Sequence, residues 1–114
     1  MMTDNIFLKI IEGKIPASII YQDDRCLAFR DINPQAPVHA LIIPRQVIAT
    51  HADISEADAG LLGHLHLVAA KLANQLGIAD GYRLVVNCKE RAGQTVPHLH
   101  FHLLGGRNMT WPPG

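Results

Sequence analysis

The 114-residue sequence predicts an α+β fold: a five-stranded antiparallel sheet with one short N-terminal helix and one long helix. Three observations lead there. Val96-Pro97-His98-Leu99-His100-Phe101-His102-Leu103-Leu104 alternates apolar residues with histidines, the pattern of a half-buried strand. Between Ser55 and Gly77, Leu61, Leu62, Leu65, Val68, Ala69, Leu72 and Leu76 recur at helical spacing. The element order, a helix, three strands, a long helix and two strands, is that of an α+β domain with an antiparallel sheet.

In chain order, 4–13 reads as a short helix. Thr3 or Asp4 can cap it, Gly13 can end it, and Ile6, Phe7, Ile10 and Ile11 form its apolar stripe. Lys14-Ile15-Pro16-Ala17 breaks the helix. Ser18–Gln22 and Cys26–Arg30 are strand-like, with Asp23-Asp24 as the hairpin turn. A loop with two prolines, Asp31–Pro37, leads to a third strand over Val38–Ile43, which Pro44 stops. His39 lies inside that strand and, taken alone, reads as a structural histidine. Ser55-Glu56-Ala57-Asp58 opens the long helix with a cap residue followed three positions on by an acid, and Gly77 closes it. His64 and His66, two apart on that helix, diverge around it and read as surface or interface residues. Gly81–Asn87 is the fourth strand, Lys89–Thr95 a polar loop containing Gly93, and the tail from Gly105 is irregular. No repeats appear, and residues 1–114 are expected to form a single domain.

Composition narrows the functional classes. The formal net charge is zero and no basic patch is present, which argues against polymeric DNA or RNA as a ligand. Cys26 and Cys88 are far apart and form neither a disulfide framework nor a zinc knuckle, so two free buried thiols are expected. Asp4, Lys9, Glu12 and Lys14 interrupt every apolar run near the N-terminus, so no signal peptide is expected. No run approaches the roughly 20 apolar residues of a membrane span. A cytoplasmic protein is expected.

The chemistry sits in the fifth strand. Strand geometry puts His98, His100 and His102 on one face and Leu99, Phe101 and Leu103 on the other. The apolar face anchors the strand in a core. An exposed polar face could be built equally well from Thr, Lys, Glu or Ser. Same-face residues are roughly 6.6–6.8 Å apart along a strand, so two imidazoles can share an ion but three, spanning about 13 Å, cannot converge on one. A metal would need another ligand, with His39 the candidate. The remaining reading is a row of nucleophile, acid and orienting groups laid along a phosphate ester.

His98-Leu99-His100-Phe101-His102-Leu103-Leu104 matches the pattern His-φ-His-φ-His-φ-φ, with φ apolar, at every position. Leu104-Gly105-Gly106-Arg107 and Trp111-Pro112-Pro113-Gly114 follow. With these motifs the chain resembles the histidine-triad (HIT) nucleotide-binding proteins, and most of all their Hint branch, from about Ile6 to the last residue. The resemblance implies a HIT-like fold and a hydrolase of purine nucleoside phosphoramidates. Such an enzyme cleaves the P–N bond of adenosine 5′-monophosphoramidate and related AMP or GMP conjugates through a nucleotidyl-histidine intermediate.

Residue by residue, the resemblance makes His100 the nucleophile. His102 contacts the phosphate and helps the departing group; His98 holds the site together by hydrogen bonds, with His39 in the same network. Asn87, Gln94 and Thr95, with backbone amides around Gly93, cradle the phosphate. The family usually has Ser at the position of Thr95, which keeps the hydroxyl. Asp31 accepts from the ribose hydroxyls, and Ile6, Phe7, Ile10, Phe29 and Ile32 form the slot for the base. No metal or other cofactor is implied. The resemblance also implies a homodimer in which two five-stranded sheets join and the tail 105–114, with Trp111, reaches toward the partner's site. Two other readings stand beside it: a nucleotide-binding scaffold whose hydrolysis is incidental, and a metal-binding module built on the triad and His39.

Overall fold

The computed structural model describes residues 4–114. Its elements, in order, are α1 (Ile6–Ile11), β1 (Ile19–Gln22), β2 (Cys26–Arg30), β3 (Val38–Pro44), α2 (Ala59–Gln75), β4 (Tyr82–Val85) and β5 (Phe101–Gly105). The strands form one sheet in the order β1-β2-β3-β5-β4, and every neighbouring pair is antiparallel. The predicted fold class is therefore the observed one. β3 and β5 lie at the centre, so what they carry is held on both sides.

Alternation along the strands builds two different faces. Toward α2 the central strands present Cys26, Ala28, Ala40, Ile42, Phe101 and Leu103, packed against Leu65, Val68, Ala69, Leu72 and Ala73. Cys26, Ala28 and Ala40 are small, which lets the helix lie close to the sheet. Toward α1 the same strands present Leu27, Phe29, Leu41 and Ile43, covered by Phe7 and Val96. His39 and His102 share this second face: His39 pairs with Leu104 and Leu41 with His102, so the two histidines are diagonal neighbours across β3 and β5.

Several boundaries differ from the sequence reading, each for a local reason. The N-cap of α1 is Asn5, whose Oδ1 accepts from the Leu8 amide at 3.0 Å, rather than Asp4; Thr3 lies outside the described residues. Ser55–Asp58 forms a capping box, as its sequence suggests, but around a 3₁₀ turn, and the α-helix proper starts at Ala59. The largest correction concerns the histidine strand, which begins only at Phe101. Pro97 has no N–H to give a ladder. The His98 amide turns back to Val96 O at 2.8 Å, and the Leu99 amide donates to Ile48 O at 2.6 Å. His98 and His100 thus precede the strand on a bent segment, and the three imidazoles are not spaced along one flat face. A further correction is Cys88, which is only half-buried, whereas Cys26 is fully buried.

Candidate functional site

Four histidines gather between α1 and the sheet. His98 is 0 % exposed, His39 5 % and His100 6 %, while His102 is half-buried. Such burial removes the exposed-polar-face reading. Phe7 ties the cluster to α1. Its ring meets His100 edge-on at 4.9 Å, stands 6.4 Å from His98, and packs on Phe29 at 5.5 Å. His102 stands 5.0 Å from His100 and 5.2 Å from His39, ring centre to ring centre.

The hydrogen bonds fix which nitrogen carries each proton, because a backbone carbonyl can only accept. His100 Nδ1 lies 2.7 Å from His98 O, so Nδ1 donates and Nε2 keeps a free lone pair. His98 Nε2 lies 2.7 Å from Pro44 O and donates to it. Its Nδ1 then accepts from Asn5 Nδ2 at 3.0 Å. His39 Nδ1 accepts from the Gln35 amide at 3.0 Å, which puts the His39 proton on Nε2. That proton faces His102 Nδ1 at 2.9 Å, and Asp31 Oδ2 lies 3.4 Å from the same nitrogen. His102 therefore keeps its own proton on Nε2.

Burial disfavours the imidazolium form at every one of these positions. His39, His98 and His100 are all held below the ordinary histidine value, mainly by desolvation. For His102, burial and then the neighbouring His100 and His39 lower the value to about 4, against an opposing pull from Asp31. Four neutral rings at pH 7 follow, linked by donors and acceptors that agree with one another.

The other expected site residues fall into two groups. Asp31 stands beside His39, one oxygen accepting from the Asn33 amide at 2.8 Å, and its spare lone pairs remain for a hydroxyl. Phe29 is buried, Ile10 packs against the Phe7 cluster, Ile6 is exposed, and Ile32 is 100 % exposed. Asn87 is half-buried, and Gly93 and Thr95 are exposed. Gln94 is different: it is 3 % exposed and its amide is fully engaged. Oε1 accepts from the Lys89 amide at 2.7 Å, and Nε2 donates to Ala49 O at 2.8 Å and Val96 O at 2.9 Å. The Gly93 and Gln94 amides also turn inward, to Glu90 O and Lys89 O. In this structure Gln94 shapes the loop leading to His98. Trp111 is 82 % exposed, away from the histidine cluster's buried interior.

Four contributors, among them the Gln35 amide, were not legible as site groups. Asn5 signals itself only as one of several polar residues ahead of a helical stripe. Pro44 O, His98 O and the Gln35 amide are backbone groups, which no side-chain pattern reveals. Asp31, His39 and His102 also offer donor atoms within 4.8 Å of one another, a spacing open to a metal ion. Their donor set suits a cation such as zinc.

A five-stranded antiparallel sheet carrying a buried chain of three motif histidines, with a fourth from the neighbouring strand, defines a histidine-triad protein. The HIT domain model matches residues 12–109, and the chain belongs to that family. An uncharacterized HIT-like protein of Synechococcus elongatus is 55 % identical over 114 residues, and one of Synechocystis is 54 % identical, each alignment covering the whole of both chains. Among solved structures, a HIT family hydrolase from Legionella pneumophila is 52 % identical with a TM-score of 0.95, covering 97 % of this chain and all of that one. A histidine triad nucleotide-binding protein from Candida albicans is 32 % identical with a TM-score of 0.82, covering 96 % of this chain and 83 % of that one.

Proposed function

We propose that the chain is a purine nucleoside phosphoramidase of the Hint branch, hydrolysing the P–N bond of AMP or GMP amides. One observation carries the reading: the bond from His100 Nδ1 to His98 O, which leaves Nε2 unprotonated and free to attack. A neutral imidazole approaches an anionic phosphate without charge repulsion. As Nε2 bonds to phosphorus, the ring becomes cationic and its Nδ1–H bond to the His98 carbonyl strengthens. Stabilisation thus grows toward the transition state, which is where it accelerates the reaction. His102 donates a hydrogen bond through Nε2–H to the phosphoryl oxygen or the departing nitrogen, and the amine leaves with a proton taken from solvent. Water then attacks phosphorus and gives a proton back to solvent, the P–N bond to His100 breaks, and the neutral ring is restored.

The relatives named above support a nucleotide ligand and a hydrolytic outcome. The apolar residues Phe7, Ile10 and Phe29 make few demands on the edge of a base, so both purines are accepted. Asp31 binds the ribose hydroxyls, while Asn87 and Thr95 contact the phosphate at the rim of the site. We further propose a single cytoplasmic HIT domain that works as a homodimer, the tail 105–114 lying against the partner.

The test is hydrolysis of a fluorogenic adenosine 5′-phosphoramidate by wild type and His100→Ala, both with excess chelator. Rapid wild-type turnover, falling by about 10⁴-fold or more in the variant, is the expected result for loss of a nucleophile. Turnover that survives the substitution overturns the assignment. AMP binding without turnover in either protein points instead to a nucleotide-binding scaffold.

A further inference from the structure

On the opposite side of the sheet, the β1–β2 turn carries a second cluster of ligating side chains. Asp23 Oδ1 accepts from the Arg25 and Cys26 amides, both at 2.8 Å, which suffices for the turn. Its Oδ2 does something else: it receives Tyr21 Oη at 2.8 Å and His64 Nε2 at 2.7 Å, the latter from α2, 41 residues away. Cys26, the first residue of β2, is 0 % exposed beneath them. One donor atom from each of Asp23, Cys26 and His64 lies within 4.8 Å of the others.

We propose that Asp23, Cys26 and His64 form a binding site for a zinc-like divalent cation that staples the β1–β2 hairpin to α2. Sulfur, imidazole nitrogen and carboxylate oxygen are the donors that borderline-soft ions select. Tetrahedral coordination at ordinary zinc distances sets donor-to-donor edges of about 3.3–3.7 Å, so the Asp23–His64 pair opens by less than about 1 Å to admit the ion. Thiolate and carboxylate together balance its two positive charges. On binding, the Cys26 thiol releases its proton to solvent, and His64 Nε2 gives up the proton it shares with Asp23 so that its lone pair faces the ion. An entry route exists, since the Asp23 and His64 side chains are 21 % and 26 % exposed. A cleft of about 340 Å³, lined by Asp24, Arg25, Arg45, Gly60 and Leu61 among others, flanks the same turn.

The experiment is a titration of the chelator-treated full chain with Co²⁺, followed by absorbance. A near-ultraviolet sulfur-to-cobalt charge-transfer band that saturates at one equivalent is expected. It is lost in Cys26→Ser and kept in Cys88→Ser. His64→Gln retains the thiol and changes a side chain near the surface, so it reads the site even if Cys26→Ser fails to fold. It weakens cobalt binding by about tenfold or more. Absence of the band overturns the proposal, as does a band that survives Cys26→Ser or is indifferent to His64→Gln. Visible cobalt bands without the near-ultraviolet one, the signature of the thiol-free Asp31–His39–His102 group, overturn it as well.

Discussion

His102 shows how much of this site is set by a single residue's surroundings. Its value of about 4 lies below that of an unfolded histidine, because burial first, and then the neighbouring His100 and His39, disfavour a positive charge on its ring. Between that value and the unfolded value near 6.5, the unfolded chain binds more protons than the folded one, so stability rises with pH in this window. Stability is full above the window and declines as pH falls through it. Urea midpoints measured from pH 7 down to pH 4.5 are expected to fall in wild type and to fall less steeply in His102→Gln. Asn5 joins two elements through one amide group: Oδ1 caps α1 and Nδ2 satisfies buried His98. Asn5→Ala therefore loses a cap and leaves a buried nitrogen without its donor, at a cost of about 1–3 kcal/mol by denaturant unfolding.

At the scale of elements, β5 is the piece with least room to move. It is paired on both sides, by β3 and β4, and its far end is fixed by contact. A Cβ added at Gly105 would meet Ile78 Cδ1 at 2.7 Å and Ile78 Cβ at 2.8 Å. The second of these atoms sits at the base of its side chain and cannot swing aside. Gly105→Ala is expected to destabilise the protein by about 1–3 kcal/mol, read as a lower urea midpoint. The bent segment before β5 is held differently, by Gln94, by the Leu99–Ile48 bond and by His98 itself. Among the described residues, no buried side-chain nitrogen or oxygen lacks a partner. A bend through the core is tolerable for that reason.

For the molecule as a whole, the sheet separates two kinds of chemistry. One face holds the four neutral histidines with α1 over them; the other holds the small-residue seam with α2, closed at one end by Asp23, Cys26 and His64. No helix among the described residues is long and apolar enough to cross a membrane. The tail leaves Trp111 at 82 % exposure on a chain whose other aromatic side chains are mostly half-buried or better. In the proposed dimer this ring is covered by the partner. Sedimentation is expected to show two chains in wild type and a weaker dimer in Trp111→Ala; a wild-type monomer would refute the proposed assembly.

What the sequence determined by itself was the period. Alternation assigned Phe101 and Leu103 to one face and His102 to the other, and the stripe from Leu61 to Leu76 identified α2, because local geometry alone dictates which residues share a side. The motif likewise pointed to His98, His100 and His102, and the family resemblance added His39. Tertiary structure decided what each ring does. The partners that set the protons, Pro44 O, His98 O, the Gln35 amide and Asn5, are backbone atoms or come from distant parts of the chain. It also decided that His64, which reads as a surface residue, reaches Asp23 across 41 positions. Burial and hydrogen bonding are properties of the packed chain, and a linear pattern does not contain them.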